Sequence, residues 1–288
     1  MEKAFPRIDL HMHTVFSDGT DTPETLLPCV REAGLVFFSV TDHDAIGACE
    51  AIRALLKPGD PRFLPGVEFS CQDDLGKYHI LGYGYDPASD AIGGVVRLGH
   101  EYRMEKLGKR LRMLRDRFHI GFPESDERAL YALPNPGKPH IARLMVQYGH
   151  AGSIRQAFET VLNRLTVPDL YVRPEEAIKG VLGAGGIPVL AHPCFGDGDQ
   201  LILGQNLNDR VERLMRFGLT GLEGYYSGYT EKLRQEVLAL ADRHDLYVTA
   251  GSDYHGANKM IRLGDVGFPD GDRPVPALLR FIGDAFKA

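Results

Sequence analysis

Two histidines one residue apart close the first apolar run of the chain, Ile8-Asp9-Leu10-His11-Met12-His13-Thr14-Val15-Phe16-Ser17-Asp18-Gly19. On an extended strand, residues i and i+2 face the same side, so His11 and His13 would bring two imidazoles to one point. That is a bidentate grip for a metal. Asp18, in the turn that follows, adds a hard oxygen, and mixed imidazole and carboxylate donors suit Zn, Mn or Fe. Further ligand-type residues recur at the edges of apolar runs. They are Asp42, His43 and Asp44 in Thr41-Asp42-His43-Asp44, Glu68 in Gly66-Val67-Glu68-Phe69-Ser70 and His79 in Tyr78-His79-Ile80-Leu81-Gly82. Ala191-His192-Pro193 and Gly251-Ser252-Asp253-Tyr254-His255 supply His192, Asp253 and His255. Six of the eleven histidines fall in these motifs, which argues against chance placement. Carboxylates and imidazoles packed together would repel or stay underused unless cations neutralised them. His100, His119, His150 and His244 lie in helical or loop contexts without ligand partners and read as structural.

The elements around these residues alternate strand and helix. The spacing predicts strands at 36–40, 62–69, 78–85, 187–191, 220–225 and 246–250 after the first, with helices at 45–57, 174–182, 208–217 and 231–243. A further helix starts at Thr22-Pro23-Glu24, where a capping threonine precedes a proline and an early acid, and ends at Gly34. All the ligand candidates except His79 fall at or just beyond strand C-termini, the active face of a parallel barrel. Segments 62–69 and 78–85, joined by the polar turn 72–76, read as an antiparallel hairpin that departs from a regular barrel. Glu223 is a candidate to support a ligand on the same face, or equally to make a structural ion pair.

Between about 91 and 172 the alternation breaks. Met104, Leu107, Leu111, Leu114 and Phe118 recur at steps of three and four, so 96–118 forms an amphipathic helix. Its other face carries Arg103, Lys106, Lys109, Arg110, Arg112, Arg115 and Arg117; an ordinary solvated face is the favoured reading and a phosphate-collecting surface the other. A loop at 133–137 and helices near 139–147 and 153–165 follow. This stretch reads as a helical lid inserted in the barrel.

At 288 residues, with 43% apolar and 25% charged residues, the chain suits one barrel plus an insertion. A net charge of -6 argues against a partner such as long duplex nucleic acid, but not against a small phosphorylated substrate held through cations. Cys29, Cys49, Cys71 and Cys194 form no CxxC pair and read as reduced. With no secretory-type apolar segment in the first residues and no apolar run near ~18 residues, no membrane association is expected and a cytoplasmic setting is.

These motifs, in their order, resemble the polymerase and histidinol phosphatase (PHP) family of metal-dependent phosphoesterases, over residues 5 to about 94 and about 171 to 268. The resemblance implies an α/β fold, a distorted (β/α)7 TIM-like barrel formed by 1–94 and 171–288, with 95–170 as the lid. It implies two or three divalent metal ions (Mn, Fe or Zn). His11, His13, Glu68 and Asp253 would hold one, Glu68, His79 and His192 a second, and Asp18, His43 and His255 the third. The implied reaction is phosphate ester hydrolysis by a metal-activated hydroxide, with Asp253 accepting a proton and His192 or His255 orienting or protonating oxygens.

Lys138-Pro139-His140-Ile141-Ala142-Arg143 resembles the lid motif of the nucleotide-type branch of that family. Proline at the helix start leaves backbone N–H groups free for an anion, and Lys138 with Arg143, flanking His140, would bind a phosphate group. Segment 166–172 lacks the glycine and lysine of that branch, so substrate contacts there are not assigned. The branch removes the 3′-phosphate of nucleoside 3′,5′-bisphosphates, giving AMP from adenosine 3′,5′-bisphosphate (pAp), with short oligonucleotides as further substrates. The alternatives are a histidinol-phosphate phosphatase and a metal-dependent nucleotide-binding protein without turnover.

Overall fold

A computed structural model describes residues 6–168, 170–196, 200–268 and 273–287. Met1 to Phe5, and Asp169 within the unassigned 166–172 segment, lie outside them. Seven strands, β1 (Ile8–Asp9), β2 (Phe37–Val40), β3 (Arg62–Asp73), β4 (Gly76–Tyr83), β5 (Ile187–Leu190), β6 (Gly221–Tyr226) and β7 (Tyr247–Gly251), form one sheet in chain order. It closes almost completely: Leu10 N–H donates to Ala250 O, and His13 N–H to Tyr254 O. Only β4 runs antiparallel to both neighbours. The result is a distorted barrel in which one strand is reversed, as the hairpin reading expects.

Helices α1 (Pro23–Glu32) and α2 (Gly47–Leu55) follow β1 and β2 on the outside. Thr22 caps α1, its side chain accepting from Thr25 N–H. After β4 come α3 (Asp90–Phe118), α4 (Glu124–Tyr131), α5 (Lys138–Gln147) and α6 (Ile154–Thr160), the last running into a 3-10 turn at Leu162–Arg164. These four helices bury an apolar cluster of their own, including Leu107, Leu111, Leu114, Ile141, Met145 and Leu162. The barrel resumes with α7 (Pro174–Gly183), α8 (Gly204–Phe217) and α9 (Glu231–Arg243), and α10 (Pro276–Ala285) ends it.

Side chains two apart on a strand share a face, and this period divides the barrel interior into two ends. On β3, Leu64 and Gly66 precede Glu68; on β4, His79 precedes Leu81 and Tyr83. Leu64, Leu81, Tyr83 and Val189 form the apolar lower half with Phe281 of α10, whose ring meets Tyr83 at 5.4 Å. The polar residues occupy the upper half. Helix α10, which the spacing did not predict, is therefore the floor under the site.

Two expectations change. Glu68 is not at a strand end: β3 runs on to Asp73 because β4 pairs with it as far as the Asp73–Gly76 turn. It still lies at the upper end, because β2 pairs β3 only as far as Pro65. The basic face of α3 is not simply solvated. Arg103, Lys106 and Arg110, spaced at one face of the helix, are buried, whereas Arg112, Arg115 and Arg117 are exposed.

Candidate metal centre and substrate cavity

All nine sequence-nominated ligands gather at the upper end of the barrel around Glu68, which is 1% exposed. Its Oε2 lies 3.2 Å from His11 Nε2, 3.1 Å from His13 Nε2 and 3.2 Å from His43 Nδ1. Its Oε1 lies 2.8 Å from His79 Nδ1 and 3.4 Å from His192 Nε2. Asp253 Oδ1 sits 3.3 Å from His13 Nε2, and Asp18 Oδ1 sits 3.3 Å from His255 Nε2.

Donor atoms within 4.8 Å of one another fall into three groups: His13, Asp18, His43 and His255; His11, His13 and Asp253; His43, Glu68 and His79. This grouping departs from the partition that the resemblance implies, because His13 and His43 each face two groups. His192 stands beside the third, its Nε2 3.2 Å from His79 Nδ1.

The backbone is forced into place here. Asp44, His192 and Asp253 all have positive φ (48°, 28° and 57°), a left-handed conformation that costs non-glycine residues on the order of 1–2 kcal/mol. Gly251 is fixed instead by close approach, since a Cβ there would stand 2.2 Å from His11 Cβ and 2.5 Å from Glu223 Oε1. Around the ligands, polar partners fix orientation. Glu223, fully buried, accepts from His11 Nδ1 (2.9 Å) and from His192 N–H (2.8 Å), which leaves His11 Nε2 as the lone-pair nitrogen. Asp42 accepts from Thr14 N–H, Thr14 Oγ1 and Ser17 Oγ, pinning the loop after His13. Lys259 Nζ (2.5 Å) and Tyr226 Oη (2.9 Å) both donate to Asp253 Oδ2, so Oδ1 alone faces the imidazoles.

Charge in this cluster is mutually supported. Burial opposes ionisation of Glu68, yet the facing His43, His79 and His11 hold its carboxyl well below the usual range. Burial likewise opposes a charged His13, but Asp253 and Glu68 outweigh it and push the ring up to about 9. Even so, His11 Nε2, His13 Nε2 and both Glu68 oxygens are buried without a well-formed hydrogen bond. Buried polar atoms are ordinarily satisfied, and four that converge without partners are what divalent cations would satisfy. The donor set fits such ions.

Above the cluster opens a cavity of about 650 Å³. The ligands form one wall and Arg103, Lys106, Arg110, Lys77 and Tyr171 line another. Arg103 is anchored, its Nε on Asp44 Oδ2 at 2.6 Å and its Nη2 on Ser70 Oγ at 2.8 Å. Lys106 Nζ lies 3.7 Å from the centre of the Tyr171 ring. Arg110 Nε is buried without a hydrogen bond. Neither Lys106 nor Arg110 forms an ion pair among the described residues. Of the nominated substrate residues, Lys138 lines the cavity. The other two stand just behind its lining: His140 Nδ1 accepts from Gly137 N–H at the start of α5, and Arg143 Nε donates to Asn258 Oδ1 (3.3 Å) while its Nη2 is buried without a hydrogen bond. The phosphate-collecting reading of the α3 basic face, second to a solvated one in the sequence, fits Lys106 and Arg110 but not the exposed Arg112, Arg115 and Arg117, and nothing in the spacing points to Tyr171.

No family model matches the chain. It is 31% identical over 278 residues to a 3′,5′-nucleoside bisphosphate phosphatase from Chromobacterium violaceum, covering 93% of each protein. It is also 31% identical over 264 residues to the 5′-3′ exoribonuclease Rnm of Salmonella typhimurium, covering 89% of this chain and 87% of that one. A structure from Bifidobacterium adolescentis, assigned as a metal-dependent phosphoesterase, superposes with a TM-score of 0.78 at 29% identity, over 93% of this chain and 94% of that one. With its barrel and histidine–carboxylate centre, the chain belongs to the PHP family of metal-dependent phosphoesterases, hydrolases that act on phosphate esters. Among the described residues no helix is long and apolar enough to cross a membrane.

Proposed function

We propose that the protein removes the 3′-phosphate from nucleoside 3′,5′-bisphosphates, releasing the 5′-nucleotide. One observation carries this reading: the cavity sets buried, ion-pair-free Lys106 and Arg110 opposite the histidine–carboxylate centre. A cationic stripe one to two helical turns from Arg103 is placed for a second phosphate, which a simple monoester lacks. Lys138 lines the same cavity and belongs to the proposed substrate site, and the helical segment α3–α6 that supplies these groups is the lid.

His11, His13, Asp18, His43, Glu68, His79, His192, Asp253 and His255 would hold two or three Mn, Fe or Zn ions. When bound, such ions neutralise the phosphoryl oxygens and make water acidic enough to attack at neutral pH. The chain's own part is placement. Glu223 holds the His11 tautomer, Lys259 and Tyr226 hold Asp253 with its Oδ1 toward the cation group, and Asp253 is the proposed acceptor of the water's proton. His192 and His255 orient the phosphoryl oxygens.

Arg110→Ala tests the substrate assignment. The Mn-reconstituted variant should lose ~10- to 100-fold in kcat/KM for pAp, as loss of a charge-assisted contact implies, and little for p-nitrophenyl phosphate. Equal losses on both would remove the α3 stripe from recognition. A second reading, trimming of short 5′-phosphorylated RNA, is favoured by the likeness to the Rnm exoribonuclease and uses the same stripe for the 5′-phosphate. Histidinol phosphate, with no second phosphate, should be a poor substrate. Unpaired Cys29, Cys49, Cys71 and Cys194 suit a reducing, cytoplasmic setting.

A further inference from the structure

The helices between β4 and α7 do more than border the cavity. Three of the polar tethers they make to the barrel bear on one group of nominated cation ligands. Arg103 of α3 holds Asp44, next to His43. Asn135, in the loop before α5 and 1% exposed, donates from Nδ2 to the carbonyl of His43 itself. Arg143 of α5 donates to Asn258 Oδ1, and the same asparagine donates from Nδ2 to the carbonyl of Asp18 at 2.6 Å. Asn258 belongs to the 3-10 turn Gly256–Asn258, which directly follows His255. These three tethers bear on three of the four residues in the His13, Asp18, His43 and His255 group.

Side-chain amides suit this task. A carbonyl oxygen behind a ligand cannot be held by a carboxylate, whereas an asparagine can donate to it, and Asn258 does so while its own oxygen accepts from Arg143. Two loops that carry ligands, one after β1 and one after β2, are in this way fixed relative to each other through a third body.

We infer that the helical segment is a structural component of the His13, Asp18, His43 and His255 cation group, with Asn135 and Asn258 as positioning residues that couple its docking to occupancy of that group. The inference rests on the reading of this cluster as a cation centre. Because coupling is reciprocal, a cation bound there tightens the docking of α5, and loosening α5 weakens the cation.

The test uses the full chain stripped of metal, with Mn²⁺ as the probe. Mn²⁺ binding is followed by calorimetry, and amide exchange of α5 by mass spectrometry with and without Mn²⁺. In the wild type, Mn²⁺ should slow exchange across Lys138–Gln147. In Asn258→Ala, one class of Mn²⁺ site should weaken by about 10-fold or more, the range that loss of a ligand-orienting contact gives, while the other classes hold. Mn²⁺ should then no longer protect α5. Asn258→Asp keeps the acceptor for Arg143 but loses the donor to Asp18; it should keep α5 docked and still weaken that one class, which separates positioning from loss of fold. Wild-type Mn²⁺ affinity in every class in both variants, or α5 exchange indifferent to Mn²⁺ in the wild type, would overturn the coupling and leave the cation centre intact. A wild type that binds no Mn²⁺ would overturn the cation reading as well.

Discussion

Glu68→Gln keeps the shape of the residue at the middle of the centre and removes its charge. In the protein the carboxylate is 1% exposed and faces five imidazoles between 2.8 and 3.4 Å. The amide retains one acceptor and turns N–H hydrogens toward nitrogens whose lone pairs a cation needs. Losing an outer contact to a metal ligand costs ~10- to 100-fold in affinity, so losing a central carboxylate costs at least about 100-fold. At a Mn²⁺ concentration of ~100 times the wild-type Kd, binding to the native state alone contributes about 2.7 kcal/mol. The variant at the same concentration would gain about 0.4 kcal/mol. For a chain of 288 residues, an unfolding entropy near ~2 cal/mol/K per residue converts these to shifts of about 4–5 °C and under ~1 °C. The assay is thermal melting of the stripped proteins across a Mn²⁺ titration, with phosphate release measured in parallel. A variant that melts with the wild-type Mn²⁺ shift would show that Glu68 is not at the cation centre, and the geometry derived around it would fall.

Gly251→Ala should cost about 1–3 kcal/mol and most of the activity, because its methyl would meet His11 and Glu223 at once; unaltered chemical denaturation would show that the backbone here has room to move. Lys106→Met should raise the melting temperature of the substrate-free protein. Burial, reinforced by Arg103 and Arg110, depresses the Lys106 ammonium well below the ordinary lysine range, so the folded chain binds fewer protons there than the unfolded chain. The cost is fully present below the folded pKa and relieved as pH rises toward that of an unfolded lysine, so the advantage of the variant should shrink as pH rises toward about 10. A constant or growing advantage over that range would contradict the burial of a charged amine.

The convergence of the nine candidate ligands was legible because it follows strand geometry: His11 and His13, two residues apart, share one side of an extended chain, and Asp253 and His255 follow the last strand. The reversed strand was legible too, since a five-residue polar turn between two strand-length runs permits little else. What the spacing leaves open depends on packing across the helical segment. Arg103, Lys106 and Arg110 differ from Arg112, Arg115 and Arg117 only in which side of α3 meets the barrel, and one-dimensional spacing does not say which side that is. Asn135 and Asn258 are ordinary loop residues in sequence, and only the folded chain brings them to the carbonyls of His43 and Asp18. Helix α10 is short and separated from the last motif, and its role as the barrel floor shows in the contacts of Phe281 with Tyr83 and Tyr247.

The most direct test of the central claim is phosphate release by the Mn-reconstituted protein from pAp beside adenosine 3′-monophosphate. Two charge-assisted contacts from Lys106 and Arg110 should give the bisphosphate a kcat/KM higher by about 100-fold or more, with AMP as the product. Equal rates on the two substrates, or release of the 5′-phosphate instead, would contradict it.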